Sequence, residues 1–118
     1  MSLLPDPAAT LEVTCAEVSG WSTLPESERP WLVDCREPEE WGICRIEGAD
    51  LVPLGSFPEK IDALRQGASN GVVVYCHHGM RSLRATSFLR ANGVESVFSM
   101  AGGIDAWSRT IDSEVPRY

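Results

Sequence analysis

The sequence predicts an α/β domain built on a mainly parallel sheet, and three observations lead there. Its 118 residues give room for one compact domain with a buried core, not two. Short apolar strand-like segments alternate with helix-like ones, the pattern of βα crossover units. One segment, Val72-Val73-Val74-Tyr75, is apolar and largely β-branched, as a strand buried on both faces requires.

Residues 1–9 are rich in Pro and Ala and are expected to form an arm, leaving 10–118 as the domain. Leu11-Glu12-Val13 reads as a short strand. Thr14 with Glu17 three positions on is a capping-box pattern, so a helix is expected from Cys15 towards Leu24. Pro25 to Pro30 is a polar connector, and Trp31 to Asp34 is a strand. Pro38 opens a short helix through Trp41, and Ala49 to Val52 reads as another strand. Ser56 and Glu59 form a second capping pair, predicting a helix through Arg65.

After the turn at Gly67–Gly71 comes the Val72–Tyr75 strand, then a loop from Cys76 to Met80. Arg81 to Ala91 is a helix with Leu83, Thr86 and Leu89 along one stripe, stopped by Asn92-Gly93. Ser96 to Met100 is a last strand, and Gly102-Gly103 leads into a short helix around Ile104 to Trp107.

Composition excludes several classes of function. Hydrophobic residues are 43% and charged residues 23%, an ordinary globular balance, so disorder is not expected. No apolar run approaches the ~20 residues of a membrane helix, so no membrane partner is expected. The net charge of −7 argues against nucleic acid as a partner. The four cysteines, at 15, 35, 44 and 76, form no Cys-x-x-Cys pair, which argues against a zinc ribbon. The first residues lack a positively charged n-region and a continuous apolar stretch, so a cytoplasmic setting with reduced thiols is expected.

Chemistry is expected at the carboxyl end of the most buried strand, where open parallel sheets bind ligands. There the chain reads Cys76-His77-His78-Gly79-Met80-Arg81-Ser82 and passes at once into a helix. Loop N–H groups backed by a helix N-terminus form a concave anion site, and Gly79 permits the backbone twist of a tight cradle. A cysteine at its base would have its thiolate stabilised and its pKa drawn below the free value of about 8.5. Arg81 adds positive charge near the rim. The layout suits a nucleophilic cysteine meeting an anionic substrate. A cysteine ending a buried strand is otherwise often only a small hydrophobe.

This loop resembles the active-site loop of the single-domain rhodaneses, the sulfurtransferases. Three further segments are similar to family signatures in family order. They are Leu32-Val33-Asp34-Cys35-Arg36-Glu37-Pro38-Glu39-Glu40-Trp41, then Ile46-Glu47-Gly48-Ala49 with Val52-Pro53-Leu54, and Gly102-Gly103-Ile104-Asp105-Ala106-Trp107. The resemblance implies a rhodanese-like fold, a five-stranded parallel sheet with helices on both faces. It also implies that Cys76 takes the outer sulfur of a small-molecule donor such as thiosulfate and carries it as a persulfide. The loop from His77 through Ser82 would bind that sulfur until a thiol, cyanide or protein acceptor removes it. No metal and no organic cofactor is implied. Phosphatases sharing the fold have Cys-x5-Arg, whereas four residues separate Cys76 from Arg81 here, a smaller cradle that suits sulfur. A catalytically silent binding module is the alternative reading.

Other residues stand near this pattern. Asp34 reads as a brace for the loop from the neighbouring strand, and Arg36 as either a brace or part of the rim. Arg45 follows Cys44 where the family has Gly-His, and reads as a surface arginine or as one directed at the anion site. Cys35 stands where the family has an apolar residue. Strand alternation puts it on the face opposite Asp34 and Arg36, so an inert buried thiol is expected. Its place near a strand's carboxyl end leaves a Cys35–Cys76 disulfide as the alternative. His77 and His78 are expected to shape the pocket rather than bind metal, because adjacent loop residues seldom both reach one ion.

Overall fold

A computed structural model of the chain describes residues 4–118. Residues 1–3 of the expected arm lie outside the described residues. From residue 4 onward the segment lies against the body, where Arg90 donates to the carbonyls of Pro7 (2.7 Å) and Thr10 (2.9 Å).

Among the described residues, five strands alternate with five α-helices. The strands are β1 (Glu12–Val13), β2 (Trp31–Asp34), β3 (Asp50–Leu51), β4 (Val72–Tyr75) and β5 (Val97–Met100). The helices are α1 (Cys15–Trp21), α2 (Pro38–Ile43), α3 (Ile61–Gln66), α4 (Met80–Ala91) and α5 (Gly103–Thr110). The sheet order is β1-β5-β4-β2-β3, and every pairing is parallel. β4 lies at the centre, with all four of its residues buried, as its β-branched run requires.

Strand alternation sorts the core into two layers. Val33, Cys35, Val72, Val74 and Cys76 face α3 and α4, packing with Phe57, Leu64, Ala85 and Leu89. Val73, Tyr75, Phe98 and Met100 face α1 and α5, packing with Cys15, Val18, Ile104 and Trp107. Helices therefore cover both faces. Each fully buried aliphatic or aromatic side chain contributes about 1.5–3 kcal/mol relative to exposure. Cys76, the residue after β4, belongs to the α3/α4 layer.

The local signals mostly hold, with informative exceptions. Thr14 and Glu17 form the expected capping box at α1: the Thr14 N–H donates to Glu17 (3.0 Å) and the Glu17 N–H to Thr14 (3.1 Å). That helix stops at Trp21, short of Leu24, because the Ser22 and Thr23 hydroxyls take the carbonyls of Ser19 and Gly20. The Ser56–Glu59 capping pair does not form. Leu54–Ser56 is a 3-10 turn in which the Ser56 hydroxyl donates to the Pro53 carbonyl (2.7 Å), and α3 begins later, after Lys60. In α4 the buried stripe is Ser82, Ala85, Thr86 and Leu89, with Leu83 only half-buried. The helix is turned so that Ser82 faces the end of β4, which a hydrophobic pattern does not register.

Candidate active site

The register of β2 and β4 places Asp34 beside Tyr75, so the next residues, Cys35 and Cys76, are neighbours beyond the strand ends on one face. Cys76 is 1% exposed and Cys35 is 1% exposed. The loop that follows closes over the Cys76 sulfur. The Gly79 N–H donates to Sγ at 3.1 Å, the Ser82 N–H approaches at 3.4 Å, and the Ser82 hydroxyl lies 3.5 Å away. Of the loop predicted from His77 to Ser82, Gly79 and Ser82 therefore touch the sulfur. His78 and Met80 are exposed on its crest.

Two glycines make this approach feasible. Gly79, the residue before α4, has φ +109°, and a side chain there would press on the Gly102 backbone. Gly103 has φ +61° and lies where any Cβ would collide with the carbonyls of Cys76 and His77. Those carbonyls are held by the start of α5, since the Ile104 N–H donates to Cys76 (2.8 Å) and the Asp105 N–H to His77 (3.1 Å). Ser82 is fixed in turn by the Gly79 carbonyl (3.1 Å) and the Ser99 hydroxyl of β5 (2.7 Å).

The two neighbouring thiols are driven apart electrostatically. Cys76 is held well below the ordinary thiol range, first by the Cys35 thiol donating to it, then by the Ser82 hydroxyl and the Ser82 and Gly79 N–H groups. Burial opposes this and loses. Cys35 is pushed far up by that same hydrogen bond, by burial and by the charge on Cys76. Both shifts favour the proton on Cys35 and the negative charge on Cys76. Cys15 shows the ordinary fate of a buried cysteine, raised chiefly by burial.

Arg81 differs from the expected free charge at the rim. Its guanidinium makes a two-pronged pair with Glu40 of α2, at 2.6 and 2.9 Å. Glu40 also accepts from the Glu37 N–H (3.1 Å) and the Tyr118 hydroxyl (2.5 Å), and its carboxyl falls to about 2, chiefly through Arg81. The electropositive character at Cys76 comes from the backbone N–H groups, with the Arg81 charge largely matched.

Asp34 and Arg36 are both fully buried and paired, with Nη2 to Oδ2 at 2.7 Å. Arg36 donates as well to the Cys44 carbonyl (2.7 Å) and the Tyr118 hydroxyl (2.8 Å). Its link to the loop runs through Tyr118, Glu40 and Arg81 rather than directly to Cys76. Arg45 is exposed over the Trp41 ring, 4.7 Å from its centroid, so the surface reading is the one the contacts support.

His77 stacks between His78 and Tyr118, each ring centroid 3.9 Å away. Burial, and then the neighbouring His78, lower its pKa from the ordinary imidazole value. The stack does bring the two histidines together, and with Asp105 their ligating atoms lie within 4.8 Å of one another. The Asp105 carboxylate, however, already accepts from Arg109 and Arg117, each at 3.1 Å.

Sequence reasoning did not anticipate Glu40, Ser99 or Tyr118 at this site. Glu40 stood in the signature-like segment 32–41 and in the first turn of a helix without a role assigned to it, and Tyr118 stood in the C-terminal tail with no link to the site. A separate cleft of about 310 Å³, lined by Trp21, Arg29 and Trp31 among others, lies at the amino ends of β2 and β4. It contains neither cysteine nor histidine.

Comparison with known proteins identifies the family and the fold. The family model described as "Rhodanese-like domain" matches residues 20–110. Adenylyltransferase and sulfurtransferase MOCS3-1 of Zea mays is 31% identical, over 100% of this chain and 25% of its own length. A tRNA uridine(34) hydroxylase of Erwinia tasmaniensis is 32% identical, over 80% of this chain and 27% of its own length. The chain thus spans about a quarter of these two relatives. The human single-domain sulfurtransferase TSTD1 has the same fold, with TM-score 0.73 and 24% identity over 86% of this chain and 97% of that one. The family match over residues 20–110, on a five-stranded parallel sheet, shows that this chain belongs to the rhodanese-like domain family.

Proposed function

We propose that the chain is a sulfurtransferase domain working through a persulfide on Cys76. In the first half-reaction the Cys76 thiolate attacks the outer sulfur of a sulfane donor such as thiosulfate. The S–S bond of the donor breaks, sulfite leaves with the electron pair, and Cys76–S–S⁻ remains. In the second, a thiophilic acceptor attacks the terminal sulfur and restores the thiolate; cyanide would leave as thiocyanate, and a thiol or a protein cysteine as a persulfide.

The observation that carries this reading is the pair of N–H donors, from Gly79 and Ser82, aimed at a buried cysteine at the base of a Cys-x4-Arg loop. They stabilise negative charge on sulfur before and after loading, as fixed dipoles do in a water-poor site. The cycle draws on no metal and no organic cofactor, because the cysteine itself carries the sulfur. It requires reduced thiols, which fits a cytoplasmic setting. Neither nucleic acid nor a membrane is a partner in this reading; no helix among the described residues is long and apolar enough to cross one.

Intact mass spectrometry after brief exposure to thiosulfate tests it directly. Wild type should gain the mass of one sulfur and lose it to cyanide with release of thiocyanate, while Cys76→Ser gains nothing. Failure of wild type to load from thiosulfate or from a low-mass persulfide donor would defeat the proposal and favour a silent binding module.

A further inference from the structure

Cys35 forms no covalent bond in the sulfur-transfer cycle, yet it stands beside the nucleophile on the neighbouring strand. The parallel β2–β4 register brings the two together as adjacent positions beyond Asp34 and Tyr75, with the Cys35 N–H bonded to the Tyr75 carbonyl at 3.0 Å. Adjacent strands lie about 4.8 Å apart, within the Cα separation that a disulfide spans without backbone movement. Both side chains occupy the same α3/α4 layer. The loop reaches the Cys76 sulfur through Gly79 and Ser82, whereas Cys35 reaches it from the neighbouring strand. Cys35 therefore approaches that sulfur from a different element than the loop that would hold an outer group.

We propose that Cys35 is a resolving thiol for Cys76. It attacks the Cys76 sulfur of an adduct Cys76–S–X, forms a Cys35–Cys76 disulfide, and expels X with the bonding pair and the Cys35 proton. With a persulfide, and so resting on the reading above, the balance is Cys35–SH plus Cys76–S–S⁻ giving Cys35–S–S–Cys76 plus HS⁻. The sulfane sulfur is reduced to sulfide while the two cysteines are oxidised to the disulfide. A low-mass thiol or dithiol reductant then reopens the pair. Such a domain would release sulfide when no acceptor arrives, and would close when an oxidised or disulfide adduct forms on Cys76. Cys15 and Cys44 offer no such route, since neither is a register neighbour of Cys76.

The test loads wild type, Cys35→Ser and Cys35→Ala from thiosulfate without oxygen, removes the donor, and follows mass and sulfide with time. Loaded wild type should fall to two hydrogens below the reduced chain, release one sulfide per sulfur taken up, and yield a Cys35–Cys76 cross-linked peptide. Both variants should keep their sulfur far longer per loaded chain and form no cross-link. Equal decay in all three without that peptide would overturn the proposal. Should no protein load, the persulfide reading fails by itself, and dithiodipyridine then decides on the thiol pair. Release of the second thiopyridine with the same cross-linked peptide in wild type alone upholds the resolving role, and a stable mixed disulfide on wild-type Cys76 overturns it.

Discussion

The β4–α4 and β5–α5 junctions are the same device put to two uses. Each runs from a central buried strand through a left-handed glycine, Gly79 or Gly102, into a helix with no side-chain cap. At β4–α4 the N–H groups of Gly79 and Ser82 point at a side chain, the Cys76 sulfur. At β5–α5 the N–H groups of Ile104 and Asp105 are occupied by the backbone carbonyls of Cys76 and His77. The second junction holds the first in shape. A helix start is a generic anion site, and what it binds depends on which group the tertiary structure brings to it.

The most disruptive way to break this division is Gly103→Ala. Its Cβ would collide with the two carbonyls that α5 holds, on a backbone at φ +61°. A loss of about 2–4 kcal/mol is expected, of which about 1–3 is backbone strain. Chemical denaturation measures it, and a change below about 0.5 kcal/mol would show that α5 does not support the loop.

Gly79→Ala acts on the other junction, at φ +109° and against the Gly102 backbone. It should cost about 1–3 kcal/mol and turn the Gly79 N–H off the sulfur. Sulfur uptake per folded chain should fall with it. Unchanged uptake would mean that this donor does not matter.

Ser82→Ala removes a hydroxyl shared by Cys76, Gly79 and Ser99, at a cost of about 1–3 kcal/mol for the unsatisfied partners. Its informative effect is on pH. With Cys76 held below the ordinary range of about 8.5, iodoacetamide trapping of wild type should fall off only in acid. Ser82→Ala should move that fall to higher pH. Cys35→Ala should move it further, because the Cys35 thiol is the largest lowering influence.

The smallest effect concerns the outer rim. Glu40 has its carboxyl depressed to about 2 in the folded chain, chiefly by Arg81, against about 4.3 when unfolded. The pair therefore stabilises the fold above the unfolded value and is lost as pH falls through the folded one. Both groups are partly exposed, so the contribution is under about 1 kcal/mol. Wild type should lose more stability than Glu40→Gln between pH ~4.5 and pH ~2. Parallel curves would remove the carboxylate from the account of the site.

Features carried by neighbouring residues were legible in the sequence. The Val72–Tyr75 run reads as a doubly buried strand, and Thr14 with Glu17 reads as a cap, because burial and capping depend on residues a few positions apart. The Cys76 loop is legible for the same reason: the nucleophile, its two N–H donors and the glycine that aims them lie within seven consecutive residues. Ser56 misled because a hydroxyl that can accept at a helix start can equally donate to a turn carbonyl, and Pro53 supplied one.

What only the tertiary structure decided are the partners from distant segments. Glu40 lies 41 positions from Arg81 and 78 from Tyr118, yet it neutralises one and anchors the other. Cys35 could be assigned a face by strand alternation, but only the order β5-β4-β2 makes it the neighbour of Cys76 rather than an isolated core thiol. Residue type and local spacing set which group can become a nucleophile. The approach of a second thiol, a carboxylate and a tyrosine is a long-range electrostatic and packing outcome, and it determines the charge that nucleophile carries.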